Sequence, residues 1–363
     1  LEKFSNIVLN RIMKYVEKYI SPSQCAYRAG RSTSDISFTY RMIHSISMRY
    51  NKIFNITGID FSRAFDSINR NKLIDVIKEF IPKTECRLII YLLSNTKLKI
   101  RINNKYSDFF NTNIGVPQGD ALSPILFNIY LEAITREYLI NKSLKPYQLI
   151  TYYADDMDFI NFNDNDITEF TNIAEKWNFT INKNKTEKIE ISRFAHYNKL
   201  IITKKLGSKI DNNLEVNHRI NNSILAFKNM NKIWFNKNIS NITKLKLYNA
   251  CIKPILLYNT STILLNKNHE KKFNIIHRKH LKVIFNTFYP RTIRNIKLYI
   301  ISNEYPITIN ISRRWKYIGH ILRLNNNTPM IQYLNIYYDL SDDKNTESDR
   351  RRIRTSIPKT INN

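Results

Sequence analysis

The sequence predicts an α+β fold of short strands mixed with helices, followed by a region of helices alone. Three observations carry this. Up to about residue 210, helix-period segments mix with short β-branched and aromatic runs, without the regular alternation of a doubly wound parallel sheet. From about 215 the texture changes: NNSILAFKNMNKIWF, TKLKLYNACIKPILLYNT and KKFNIIHRKHLKVIF all carry apolar residues at helical spacing, with Lys and Arg on the other sides. Finally, 43% hydrophobic and 12% aromatic residues make a folding composition, and 363 residues exceed one ordinary core.

In chain order, LEKFSNIVLNRIMKYVEKYI (1–20) reads as an amphipathic helix, too mixed in charge for a signal peptide. SPSQCAYRAGRSTSD is a loop with two arginines, Arg28 and Arg31, and a helix covers roughly 33–50. FNITGIDF has the content of a buried strand. FDSINRNKLIDVIKEF continues at helical spacing, with Ile68, Leu73, Ile77 and Phe80 on one face and Asp66 placed to cap it. TKLKIRIN alternates, so Leu98, Ile100 and Ile102 are expected to be buried and Lys97, Lys99 and Arg101 exposed.

NIGVPQGDALSPILFNIYLEAI is a loop with Gly115 and Gly119 running into a helix, Ser123 serving as N-cap and Pro124 in the first turn. QLITYY and MDFINF flank Ala-Asp-Asp, a hairpin with carboxylates at its tip. A helix is expected over 166–178, and INKNKTEKIEI returns as a strand. Pro254 should kink the second helix of the late region. The domain reading is 1–210, then a basic helical region over 211–330, then a polar, charge-rich tail over 331–363. No internal repeat occurs; the abundance of Asn, Ile and Lys reads as nucleotide bias, which blurs propensities.

The balance of 57 Lys+Arg against 30 Asp+Glu leaves a net charge of +27, which points to a polyanionic partner. No run of about 18 apolar residues occurs, and the cations are spread along the chain, so nucleic acid is the better partner than a membrane surface. Cys25, Cys86 and Cys251 lie too far apart in sequence for a disulfide framework or a zinc pattern, and read as reduced intracellular thiols. His277 and His280 read as part of a basic helix face rather than as metal ligands.

Against this charge, the adjacent Asp155 and Asp156 raise two readings: a turn that suits aspartate, or hard oxygen ligands for a magnesium ion. Asp60, closing an apolar strand, is costly there without a cationic partner. Two metal ions about 4 Å apart can stabilise an in-line phosphoryl displacement, and need carboxylates from at least two strand ends. Phe65 reads equally as the wall of a sugar pocket or as a core ring. The Gln118 loop, running into a helix N-terminus, reads as an anion or nucleotide cradle or as a structural turn. Lys185 reads as a proton donor or as a surface lysine.

The ordered series GIDFSRAFDS, GVPQGDALSPILFNIYLE, YYADD, INKNKTEKIEI and KLGS resembles that of reverse transcriptases, most closely those of non-LTR (LINE-type) retrotransposons. QCAYRAGRSTSD resembles their fingers motif, and LYNACIKPILLYNTST and RRWKYIGHILR their thumb and post-thumb segments. The resemblance spans roughly residues 10–325. It implies a right-hand polymerase, fingers and palm followed by a helical thumb, that extends a DNA primer on an RNA template with deoxynucleoside triphosphates and two Mg²⁺.

By the same resemblance Asp60, Asp155 and Asp156 hold the metals, with the backbone carbonyl of Phe61. Phe65 selects the sugar, and Gln118 and Gly119 line the nucleotide and template pocket. Tyr153 lies by the primer end, Lys185 is the general acid, Arg28 and Arg31 meet template or triphosphate, and Leu206 and Gly207 form the primer grip. Lys205 stands where an aromatic commonly precedes the grip. The fingers are expected to be truncated, without an endonuclease domain, as in a fragment or a truncated copy, and the family works in the nucleus after cytoplasmic assembly. The alternative is a non-catalytic RNA-binding or maturase-like protein keeping the fold.

Overall fold

A computed structural model describes residues 2–140, 142–145, 147–193, 204–263, 265–287, 290, 292–311 and 313–342. The chain divides into two compact units, Leu1–Ser32 with Phe54–Glu190, and Thr33–Ile53 with Ile191–Asn363. Up to residue 191 the elements are α1 (Glu2–Tyr19), α2 (Thr33–Tyr50), β1 (Phe54–Ile59), β2 (Phe61–Ser62), α3 (Arg70–Phe80), α4 (Lys83–Ser94), β3 (Lys97–Leu98), β4 (Arg101–Ile102), β5 (Lys105–Tyr106) and β6 (Phe110–Asn111). Then come α5 (Ser123–Leu139), β7 (Leu149–Tyr153), β8 (Asp156–Ile160), α6 (Asp164–Lys176), β9 (Thr180–Ile181) and β10 (Glu187–Ile191).

In the first unit a four-stranded sheet has the order β10-β1-β8-β7, with β8 antiparallel to both β1 and β7. β1 and β7 are buried along nearly their whole length, which explains their continuous apolar sequence. α1 turns Val8, Ile12 and Val16 inward at four-residue spacing. α5 is buried almost all round and carries Ile125, Leu126, Phe127, Ile129 and Tyr130 into the same core. Each such side chain contributes on the order of 2 kcal/mol by leaving water.

Local capping differs from the sequence expectation. Asn69, not Asp66, caps α3, its side chain accepting from the N–H groups of Asn71 and Lys72. α5 begins with Ser123 inside its first turn; Leu122 holds the cap position, and the buried Ser123 hydroxyl makes no hydrogen bond. α6 starts at Asp164 because Asn163 and Asp166 form a reciprocal capping box. The return strand is broken into β9 and β10 by a turn.

The largest departure is TKLKIRIN. It forms one side of a hairpin in which β3 pairs with β6 and β4 with β5, and both faces are exposed. The alternation there does not report a buried face.

In the second unit α2 is buried over most of its surface. A two-residue hairpin, β11 (Lys204–Lys205) and β12 (Ser208–Lys209), leads to helices α7 (Asn212–Asn229), α8 (Asn231–Trp234), α9 (Asn241–Leu247), α10 (Lys253–Leu257), α11 (Lys267–Ile284), α12 (Asn295–Ser302), α13 (Thr308–Ile311), α14 (Arg313–Ile321) and α15 (Pro329–Asp342). Instead of a simple kink at Pro254, a π-helical turn over Tyr248–Ile252 precedes the proline. The helix α15 occupies part of the span read as a tail; beyond 342 that span lies outside the described residues. The two compact units divide after residue 190, and α2 belongs with the later helices.

Two polar clusters are buried in this unit. Arg41 donates to the Lys209 carbonyl and the Thr262 hydroxyl and lies 4.0 Å from Glu215, which pairs with Arg219 at 2.7 Å. His277 and His280 are buried in α11, His277 bonding the Tyr248 hydroxyl at 2.8 Å and His280 stacking on Phe227 at 4.2 Å. The expected basic-face role for these histidines is therefore wrong: burial drives both pKa values down to about 4.

Candidate active site

β1 and β8 pair antiparallel with Gly58 opposite Asp158 and Ile59 opposite Met157. Carried one residue further, the same register sets Asp60 opposite Asp156, and directly opposed residues share a face of a sheet. β7 and β8 close with Tyr153 opposite Asp156, leaving Ala154 and Asp155 as a two-residue turn with Ala154 at φ +56°. The strand end and the hairpin tip, nearly a hundred residues apart in sequence, thus meet at one edge of the first unit. Asp155 and Asp156 are exposed there, and Asp60 and Tyr153 are half-buried.

The tip is held by a residue that the sequence reading passed over. Gln24, fully buried, accepts from the N–H groups of Ala154 at 3.1 Å and Ala26 at 2.9 Å, and donates to the Ala154 carbonyl. The backbone beside it reinforces this, with Cys25 N–H donating to the Tyr152 carbonyl and Tyr152 N–H to the Ser23 carbonyl. Beside the tip, Tyr27 is pushed to a higher pKa, first by burial and then by the Asp155 charge. The sequence signal at Gln24 was its place at the head of QCAYRAGRSTSD, a loop dense in turn residues that resembles the fingers motif.

Lys185 reaches the same place. Phe61 in β2 pairs with Ile181 in β9, and Asn182 N–H donates to the Asp60 carbonyl at 2.8 Å. The turn that follows closes on the Asn182 carbonyl, which accepts from Lys185 and Thr186 N–H. The Lys185 Nζ then lies 3.3 Å from Asp60 Oδ2. Phe61 itself is buried, its ring 5.2 Å from that of Phe179.

The loop before α5 is stitched to the segment after β2. Val116 N–H donates to the Phe65 carbonyl at 3.0 Å and Gly115 N–H to the Ile68 carbonyl at 2.8 Å. At Gly115, φ is +71° and a Cβ would sit 2.9 Å from the Asp66 backbone, so glycine is required. Phe65 is half-buried and stacks on Phe127, centroids 4.6 Å apart. Gln118 and Gly119 are exposed beyond it. Arg70, buried at 7% exposure, donates to the carbonyls of Gly115, Leu93 and Thr112. It fixes one wall of a cleft of about 530 Å³ lined by Asp66, Thr112, Ile114, Pro117 and Gln118 among others.

Four further expected residues, Arg28, Arg31, Leu206 and Gly207, each have their own surroundings. Arg28 is committed within the fold: its guanidinium pairs with Glu17 at 2.7 Å and donates to the carbonyls of Ser21 and Gln24, leaving little of its fork for a phosphate. Arg31 is half-buried, and its Nη1 makes no hydrogen bond. Leu206 and Gly207 form the turn of the β11–β12 hairpin in the second unit, both with positive φ, their carbonyls accepting from the Tyr258 hydroxyl and the Arg219 guanidinium.

Among the described residues no group of three or more His, Cys, Asp or Glu side chains converges as a metal site. The donor chemistry nevertheless suits magnesium. Asp60, Asp155 and Asp156 offer hard carboxylate oxygens at one edge, and the positive charge beside Asp60 is the Lys185 ammonium.

A family model described as reverse transcriptase (RNA-dependent DNA polymerase) matches residues 2–197, more than half of the chain. The chain belongs to the reverse transcriptase family. A putative COX1/OXI3 intron 2 protein of Saccharomyces cerevisiae is 37% identical over 84 residues, covering 23% of this chain and 9% of that one. The RNA-directed DNA polymerase from mobile element jockey of Drosophila melanogaster is 22% identical over 311 residues, 77% of this chain and 34% of its own length. Other relatives are Drosophila transposon polymerases and R2 element proteins, in keeping with the non-LTR resemblance. The chain spans only 9% to 34% of the length of these relatives. Apo telomerase from Candida tropicalis overlaps 92% of this reverse transcriptase chain and 60% of its own at 13% identity and a TM-score of 0.45.

Proposed function

We propose that the chain is the polymerase part of a retrotransposon protein, an RNA-directed DNA polymerase of the right-hand type extending a DNA primer on an RNA template with deoxynucleoside triphosphates. The observation that carries this is the β1–β8 register, which runs to Ile59 opposite Met157 and, carried one residue further, brings Asp60 to Asp156 at the hairpin tip, with the Lys185 ammonium 3.3 Å from Asp60. Asp60, Asp155, Asp156 and the Phe61 carbonyl would hold two magnesium ions, which when bound stabilise the attacking and leaving oxygens.

The chain's own residues position the rest, and in phosphoryl transfer positioning and charge stabilisation do most of the work. Lys185 donates a proton from Nζ to the leaving pyrophosphate. Phe65, backed by Phe127, is fixed enough to exclude a 2′-hydroxyl. Gln118 and Gly119 meet nucleotide and template, Tyr153 lies at the primer end, and Arg31 faces triphosphate or template. The Leu206–Gly207 turn, anchored by Tyr258 and Arg219, grips the primer. Arg28 shapes the fingers loop from within. The excess of 27 positive charges serves phosphate binding without sequence reading, so affinity falls steeply with salt. Such a protein works in the nucleus, where element RNA meets chromosomal DNA.

Primer extension on an RNA template with Mg²⁺ tests the reading. Wild-type protein should incorporate deoxynucleotides, and Asp156→Asn should reduce incorporation by at least about 10³-fold, since the metal-neutralising charge is lost. Folded wild-type protein that binds RNA and incorporates nothing would leave the non-catalytic, maturase-like reading in its place.

A further inference from the structure

The hairpin between Lys97 and Asn111 has no packing reason for its composition. Leu98, Ile100, Ile102, Tyr106, Phe109 and Phe110 are 45–66% exposed. Its shape is nevertheless well specified. Asn103 and Asn104 both adopt positive φ, at +46° and +65°, the turn that matches the twist of a two-strand ribbon. Ser107 ties the middle, its N–H donating to the Ile100 carbonyl and its hydroxyl accepting from Ile100 N–H. The cations also lie over the rings: Lys99 Nζ is 4.2 Å from the Tyr106 centroid and 5.3 Å from that of Phe109, and the Arg101 guanidinium is 5.7 Å from Tyr106.

Charge decides what covers such an arm. Lys97, Lys99, Arg101 and Lys105 stand against a single carboxylate, Asp108. A second copy of the hairpin would bring like charges together along the exposed edges, where lysines blunt strand pairing. A polyanion with flat apolar groups answers both features. Exposed rings offer stacking platforms that any base satisfies, and the lysines offer phosphate contacts. The base of the hairpin runs into the cleft at the Gln118 loop, since Leu98, Thr112 and Ile114 line that cleft with Pro117 and Gln118.

We propose that the Lys97–Asn111 hairpin is a binding arm for single-stranded RNA, taking the unpaired template as it approaches the Gln118 loop. The assignment of the strand as template rests on the polymerase reading above; the binding itself does not.

The test uses the full chain and a labelled 20-nucleotide single-stranded RNA, with anisotropy read in EDTA across a salt series. Lys99→Gln/Arg101→Gln/Lys105→Gln should weaken binding about tenfold near 0.1 M salt and flatten the slope of log affinity on log salt by roughly 2. Tyr106→Ala/Phe109→Ala should weaken it at least about fivefold and leave the slope unchanged. Unchanged circular dichroism and melting temperature show that both variants fold, as expected for exposed side chains.

Wild-type affinity and slope in both folded variants overturn the arm. So does a loss confined to anionic phospholipid vesicles, or a change confined to oligomeric state. Wild-type primer extension, run alongside, separates the two readings: extension with unaltered RNA binding in the variants sinks only the arm. Lost binding in the variants without wild-type extension sinks only the polymerase reading.

Discussion

Lys185 Nζ lies 3.3 Å from Asp60 Oδ2, brought there by a turn whose Asn182 N–H is bonded to the carbonyl of Asp60 itself. One backbone bond thus fixes the distance between a carboxylate at a strand end and a lysine more than a hundred residues later. The Lys185 side chain is 65% exposed, so the pair adds little to stability. Lys185→Ala should therefore leave the melting temperature within a degree or two, while nucleotide incorporation slows by about 10²-fold or more through loss of the acid. Single-turnover extension beside thermal unfolding checks both halves; a large melting shift with an unchanged rate would make the lysine structural.

Phe65 is expected to act in two ways. Phe65→Val should admit ribonucleotides, raising their incorporation relative to deoxynucleotides. Because the ring stacks on Phe127 at 4.6 Å, it should also lower stability by about 1–3 kcal/mol. Competition between ribo- and deoxynucleoside triphosphates, with denaturant unfolding, separates the effects. Unchanged sugar choice removes Phe65 from the pocket.

The two glycines of the loop before α5 should not be equivalent. Both have positive φ, +71° at Gly115 and +92° at Gly119, so alanine is strained at each by about 1–2 kcal/mol. Only at Gly115 does a Cβ also meet backbone, at 2.9 Å. Gly115→Ala should accordingly destabilise the first unit more than Gly119→Ala, measured as the difference in urea midpoint.

Acid should destabilise the second unit. Burial is the main cause that holds His277 and His280 at about 4 against an ordinary value near 6.5; the Glu304 charge partly opposes it at His277, and the His277–His280 proximity adds to it at His280. The unfolded chain binds these protons first as pH falls. Their stabilising contribution is complete above about 6.5 and is lost on the way down to about 4, with a slope of up to about 2.7 kcal/mol per pH unit for two protons. Urea unfolding at pH 7 and pH 5 reads this, and His280→Phe should make the dependence shallower.

In the same unit Glu215 neutralises two buried guanidinium groups, Arg219 at 2.7 Å and Arg41 at 4.0 Å. Burial already lowers Arg41 to about 10. Glu215→Ala should leave buried cations unpaired and destabilise by about 3–5 kcal/mol, visible in chemical denaturation. A loss under about 1 kcal/mol would mean that water reaches the cluster.

The sequence by itself determined the hairpin that presents Asp155 and Asp156, the strand ending at Asp60, the helix after Gly119 and the helical texture from about residue 215. These are local signals: period, turn residues and continuous apolar runs, which strands buried on both faces must have. It also carried the family, because motif order is written in one dimension. Tertiary structure alone decided the rest. The Asp60–Asp156 register, the Gln24 clamp and the Lys185 turn depend on backbone bonds between distant segments, and backbone groups are the same in every residue. Arg28 could not be told from a phosphate-binding arginine until Glu17 and two carbonyls were found around it. The histidines of α11 and the hairpin at Lys97 misled for opposite reasons. His277 and His280 are polar residues buried by neighbours from other helices, and the Lys97 hairpin is an alternating strand with no layer beneath it. Burial belongs to the packed molecule, so a pattern along the chain reports it only where some other element supplies the opposing surface.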